Sequence, residues 1–184
     1  MKTMRLIAMA LVALLALPMD AAAGDIWATK RFTGDDDVMR KVRIDHAPRN
    51  LFLQTKWKDG YYESDVHYWL DTRKGNPGPE FQVRVYLDEF NSNGSPIPGI
   101  TLRRIENFGK PIGKRKCVAL SGSLTDGGHV NVTVPRRCLT ILGQQPKSVR
   151  LSVGIFFAYG GPDFNGSWAW SPARHRFGPW VARN

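Results

Sequence analysis

The chain has 184 residues, with 26 Lys and Arg against 16 Asp and Glu and a formal charge of +10 at pH 7. That length supplies one domain with a real core and falls short of two. A charge of this sign attracts anionic material such as acidic wall polymer, phospholipid headgroups, acidic polysaccharide or nucleic acid, through contacts that weaken with salt.

Lys2 and Arg5 precede an apolar block from Leu6 to Leu17, a break at Pro18 and the small residues Ala21, Ala22 and Ala23. This is the order of a secretory signal peptide, with cleavage expected after Ala23. The block is shorter than the roughly 20 residues of a membrane span, and the C-terminal residues carry no anchor signal. The expected product is a freely secreted domain over residues 24–184, without a membrane span. Lys2, Arg5 and Asp20 leave with the leader, so the remaining 161 residues carry +9. Two cysteines remain, Cys117 and Cys138, and an even count in an exported chain points to one disulfide. A zinc site lacks partners, because there is no CxxC or HExxH and His46, His67, His129 and His175 are scattered.

Gly24 to Asp37 reads as a polar lead-in loop. Its acidic run Asp35-Asp36-Asp37 lacks the spaced order of a calcium loop, so a solvated turn is the expectation there. Val38 to His46 alternates, with Val38, Val42 and Ile44 on one face and Arg40 as the exception. Ala47 to Asn50 is turn material, and Leu51 to Trp57 alternates again, which predicts an antiparallel hairpin. Val66 to Asp71 and Glu80 to Asp88 form the clearest hairpin in the chain. Val66, Tyr68 and Leu70 share one face of the first strand, and His67, Trp69 and Asp71 share the other. The connection Asn76-Pro77-Gly78-Pro79 suits a type II turn with Gly at i+2.

Asn91 to Gly99 is a surface loop by composition. Ile100 to Ile105 and Lys114 to Leu120 predict shorter strands, the second with Cys117 inside a sheet, and Gly122 to Gly128 predicts a turn. His129 to Val134 alternates until Pro135 stops it. Arg136 to Gly143 is a connection with room for one helical turn, and Ser148 to Phe157 is the second strong strand. The tail, Gly160 to Asn184, concentrates aromatics and cations, among them Trp168, Trp170, Arg174 and Arg176. Short strands, turn clusters and no amphipathic helix predict an all-β fold, an antiparallel, jelly-roll-like β-sandwich with one disulfide.

The order GDDDVMRKVRIDH, LFLQTKW, VHYWLDTRKGNPGPEFQVRV, and later PRRCL and SVRLSV, resembles an exported actinomycete β-sandwich domain of unknown function. Its hairpin is similar in turn to the DOMON and carbohydrate-binding-module sandwiches. The resemblance implies a secreted, non-catalytic domain. The chain departs from the pattern at Thr140-Ile141-Leu142-Gly143, where Gly is expected directly after Cys-Leu.

Flat indole and phenol faces suit sugar rings, and neighbouring guanidinium groups suit hydroxyl, phosphate or carboxylate groups. Trp168, Trp170, Arg174, Arg176, Trp69, Arg84 and Tyr86 are therefore the candidate binding residues. Trp168 and Trp170, two apart, point to one side if the segment is extended. The expected function is a binding module for extracellular polysaccharide or anionic wall polymer. It would be a monomer with no cofactor, no metal and no specific nucleic-acid recognition. Two alternatives stand beside it. One is a hydrolase using carboxylates among Asp65, Asp71 and Glu80. The other, from the DOMON likeness, is a haem domain ligated by Met39 and one of the four histidines. No GxSxG or comparable catalytic pattern supports an enzyme, and capping of the turn explains Asp71 and Glu80 more simply.

Overall fold

A computed structural model describes residues 25–26, 38–58, 64–76, 78–90, 92–94, 96–109, 111–125, 128–157 and 167–183. The expected leader, residues 1–23, and the acidic run at 35–37 lie outside the described residues.

In chain order the strands are β1 (Asp25–Ile26), β2 (Met39–His46), β3 (Asn50–Trp57), β4 (Ser64–Asp71), β5 (Phe81–Phe90) and β6 (Pro96–Arg104). They continue with β7 (Gly113–Lys114), β8 (Ser121–Thr125), β9 (His129–Pro135), β10 (Ser148–Phe157), β11 (Ser167–Ser171) and β12 (Val181–Ala182). A five-stranded antiparallel sheet runs β1-β2-β3-β9-β8, and a seven-stranded one runs β11-β10-β4-β5-β6-β7 with β12 also on β10. The chain changes sheet between β3 and β4, between β7 and β8, and between β9 and β10.

Alternation decides which face is buried. Val42, Ile44, Leu51, Leu53, Val130, Val132 and Val134 point inward from the first sheet. Val66, Tyr68, Leu70, Phe81, Val83, Val85, Leu151, Val153 and Ile155 meet them from the second. Each buried aliphatic side chain contributes about 1.5–3 kcal/mol by leaving water. Polar contacts also cross this core: the Tyr68 hydroxyl donates to Thr55 Oγ1 at 2.8 Å, with burial raising the phenol's pKa well above its ordinary value, and His46 Nδ1 lies 3.3 Å from the Val181 carbonyl.

The Val66 to Leu87 hairpin is present as β4 and β5, paired from Val66↔Val85 to Leu70↔Phe81. Its connection is built as turn chemistry requires. Gly78 has φ 96°, and a Cβ there would lie 2.6 Å from Asn107 Oδ1. Glu80 Oε2 accepts from the Thr72 N–H and hydroxyl, and Oε1 accepts from the Asn76 amide. Asp71 accepts from the Arg73 N–H and pairs with Arg150.

Five sequence expectations need correction. Residues 96–99, expected inside the surface loop Asn91 to Gly99, open β6 and pair with β5 from Tyr86↔Gly99 to Phe90↔Pro96. Arg40 breaks the alternation because a bulge between Met39 and Lys41 shifts the β2–β3 register, which turns Met39 into the core. The lead-in contains a short strand, Asp25–Ile26, paired to β2. Lys114 to Leu120 is not a strand beyond Lys114, and Cys117 sits in a turn region where Ala119 has φ 67°. Residues 122–125, expected within the turn Gly122 to Gly128, belong to β8 because β9 supplies its hydrogen bonds from Ser121↔Thr133 to Thr125↔His129.

The disulfide does join Cys117 to Cys138, with Cα atoms 5.6 Å apart, despite the departure at Thr140 to Gly143. It ties the β7–β8 connection to the 3-10 turn Arg136–Leu139. The same turn places Arg136 in the interior, where its guanidinium donates to the Pro48 and Pro146 carbonyls, both at 2.6 Å.

Candidate functional site, the aromatic outer face

Along β4, β10 and β11 the seven-stranded sheet carries rings on the face opposite the core. At the middle of that face, between Asp65 at one end and Asp71 and Arg150 at the other, alternation puts His67 and Trp69 on β4, Gly154 and Phe156 on β10, and Trp168 and Trp170 on β11. Register brings them together, since Gly154 pairs with both His67 and Trp170 and Phe156 pairs with Trp168. Gly154 makes the assembly possible. A Cβ there would lie 2.9 Å from the Trp69 ring and 3.1 Å from the Trp168 ring, so only a residue without a side chain lets the two indoles close over the strand.

Trp170 stacks on Trp69 with centroids 4.8 Å apart and an interplanar angle of 22°. Trp168 stacks on Trp170 at 5.3 Å, meets Phe156 at 5.3 Å and takes the His67 ring edge-on at 5.0 Å. Two further segments cover one end of this layer. Phe108, from the loop after β6, packs at 5.9 Å from Trp69, and Phe177 and His175, from the C-terminal segment, lie against Phe108. Trp69, Trp170 and Ile105, with Phe108, Trp168 and Phe177 packed against them, form a second hydrophobic cluster, separate from the inter-sheet core.

Towards β5 and β6 the same face turns polar. Arg84 pairs with Asp65 and lays its guanidinium 4.8 Å from the Tyr86 ring centroid. Tyr86 in turn covers Gly99, where a Cβ would fall 2.4 Å from the phenol ring. Gln82 Nε2 donates to His67 Nδ1 at 3.1 Å, which requires a neutral imidazole. Burial pushes the His67 pKa down to about 4, with Arg84 and Arg103 adding to the effect and Asp65 opposing it. Arg84 Nε, Arg103 Nε and Thr101 Oγ1, on β5 and β6, are shielded from water and make no hydrogen bond within the protein.

The predicted residues separate accordingly. Trp168 and Trp170 do project to one side, as their spacing implies, but Trp69 and Trp170 are buried, at 5% and 7% exposure, and hold the cluster together. Trp168, Arg84 and Tyr86 are half-buried and reachable. Arg174 and Arg176 lie exposed in the turn after β11, with the Arg176 N–H bonded to the Ala173 carbonyl. The cations that meet the tail's aromatics are instead Arg150 on β10, whose guanidinium faces Phe177 at 4.6 Å and Trp180 at 4.8 Å, and Lys74, whose ammonium lies 5.7 Å from the Trp180 ring centroid. His67, Phe156, Phe108 and Gly154 were missed as site residues. For His67 and Gly154 a signal existed, because strand alternation alone puts both on the side of Trp69.

Among the described residues no group of three or more His, Cys, Asp or Glu side chains is arranged to hold a metal ion, and no helix is long and apolar enough to cross a membrane. The fold and this face define a class, an antiparallel β-sandwich with an aromatic outer sheet face. Comparison with protein-family models, curated proteins and solved structures finds no match to the chain.

Proposed function

We propose that this is a secreted, non-catalytic binding module that takes extracellular polysaccharide or anionic wall polymer on the outer face of its seven-stranded sheet. The observation that carries the reading is the junction on that face between reachable aromatic rings, Trp168 and Tyr86, and the guanidinium groups of Arg84 and Arg103. Ring faces stack on sugars, and guanidinium groups bond hydroxyl, carboxylate or phosphate oxygens. Trp69 and Trp170 lie beneath as the rigid support such a surface needs. The resemblance of the β4–β5 hairpin to carbohydrate-binding-module sandwiches points the same way.

The alternatives are less well supported. Asp65 and Asp71 lie six residues apart on β4, hence about 20 Å apart along the strand, well beyond the separation of roughly 5–9.5 Å at which two carboxylates cooperate on a glycosidic bond. Each is occupied by an arginine, and Glu80 is committed to the Thr72 and Asn76 donors. Met39, the proposed haem ligand, is a buried member of the inter-sheet core.

Glycan-array and wall-fraction binding test the proposal. Trp168→Ala, in a folded protein, is expected to weaken binding about tenfold. If the folded wild type retains no glycan or wall fraction, or the variant binds equally well, the reading fails.

A further inference from the structure

A second site lies away from the aromatic face. Thr72 to Lys74, at the start of the β4–β5 connection, and Leu139 to Ser148, leading into β10, line a cleft of about 750 Å³, a size that takes a small-molecule headgroup. Arg73, Lys74 and Lys147 bring three exposed cations to its wall, and Gln144 and Gln145 bring two amides. No Asp or Glu is among the lining residues. The carboxylates nearest in the chain, Asp71 and Glu80, are buried and satisfied by Arg150, Thr72 and Asn76.

Leu142 stands on the rim of this cleft and is 89% exposed. It occupies the tip of a two-residue turn closed by paired bonds between Ile141 and Gln144, each 3.0 Å. Leu142 has φ 49° and Gly143 φ 79°. Both central residues are therefore left-handed, a geometry that favours Asn-Gly and strains a leucine. The chain thus holds a large apolar side chain in water, in a conformation that disfavours it, beside a cationic cleft. Another exposed apolar residue, Val118 at 67%, follows the disulfide-bonded Cys117, and its carbonyl accepts from the Arg137 guanidinium at 3.2 Å.

We propose that this end of the sandwich docks on the surface of an anionic phospholipid bilayer. Headgroup phosphate enters the cleft between Arg73, Lys74 and Lys147, and Leu142 inserts at the interface. Cations near an anionic leaflet and an apolar wedge reinforce each other, and neither alone gives stable attachment. The inference uses none of the residues of the aromatic face and stands or falls apart from it.

The test uses the chain without residues 1–23, which keeps every strand of both sheets, in sedimentation with vesicles at 0.1 M salt. It should co-sediment with vesicles of phosphatidylglycerol and phosphatidylcholine but not with phosphatidylcholine alone. Leu142→Asn suits the turn better and should fold at least as stably, yet bind about tenfold more weakly. Lys74→Gln with Lys147→Gln should weaken binding roughly thirtyfold, and Trp168→Ala should leave it unchanged. No binding by the folded wild type overturns the proposal, as does a Leu142→Asn variant that binds like wild type. Complete displacement by soluble poly(glycerol phosphate) at equal phosphate also overturns it, because the affinity would then reside in phosphate charge alone.

Discussion

Protonating His67 should loosen the fold, and the size of the effect follows from its surroundings. The imidazole packs edge-on against Trp168, tilts against Trp69 and accepts from Gln82. A proton on Nδ1 would meet a donor in a site that burial has already made hostile to charge. Its pKa is about 4, against 6.5 for an ordinary histidine. The unfolded chain therefore binds the proton first, and stability present in full above pH 6.5 falls as pH drops towards 4. With 1.36 kcal/mol per pKa unit, the loss approaches about 2 kcal/mol between pH 7 and 5 and about 3 kcal/mol by pH 3, as ceilings, because the ring is partly exposed. His46, His129 and His175 are shifted the same way, chiefly by burial, so a His67→Gln variant is needed to isolate the contribution. Urea unfolding followed by tryptophan fluorescence at pH 7, 6 and 5 should show a shallower pH dependence in the variant than in wild type. Parallel curves, or an NMR titration placing His67 near 6.5, would refute the reasoning.

Two further outcomes are expected. Gly154→Val should push Trp69 and Trp168 off β10, costing about 1–3 kcal/mol as an overpacking change and altering the emission spectrum, while inward neighbours such as Val153 keep their core contacts. Replacing Cys117 and Cys138 together by Ser should lower stability by about 3 kcal/mol, the chain-entropy value for a loop with a sequence separation of 21, read as a lower urea midpoint.

The parts of the fold legible in the sequence are those where burial on one face imposes alternation. The β4–β5 hairpin and β10 were readable because Val, Leu, Ile, Phe and Tyr recur every second residue. β8 was not, since its residues, SGSLT, are mostly exposed and its strand geometry comes from a partner. A Cβ at Gly122 would sit 2.6 Å from the Asn131 carbonyl and 2.7 Å from Ile100, so the segment is held extended by β9 on one side and close contact with β6. Cys117 misled because local composition says nothing about a turn stabilised by a covalent partner 21 residues on. The candidate face was half legible. The pairing of Trp168 with Trp170 follows from strand period, but the covering of Trp69 by Phe108 and of Trp170 by His175 comes from segments with no periodic signal. Arg136, read as part of a simple connection, proved to be an interior group whose guanidinium is satisfied by the Pro48 and Pro146 carbonyls, acceptors far away in sequence or across a turn that no local pattern announces.

The C-terminal segment belongs to two hydrophobic clusters at once. Phe177 packs with the outer aromatic layer, while Val181, four residues later, enters the inter-sheet core and presents its carbonyl to the buried His46 ring at 3.3 Å. Between them the Gly178 N–H is bonded to the Leu151 carbonyl of β10. A fluctuation that lifts this segment exposes both faces of the seven-stranded sheet, so the outer layer cannot melt as an independent foldon. Amides of β4 and β10 should then share one opening free energy in hydrogen exchange, close to that of global unfolding.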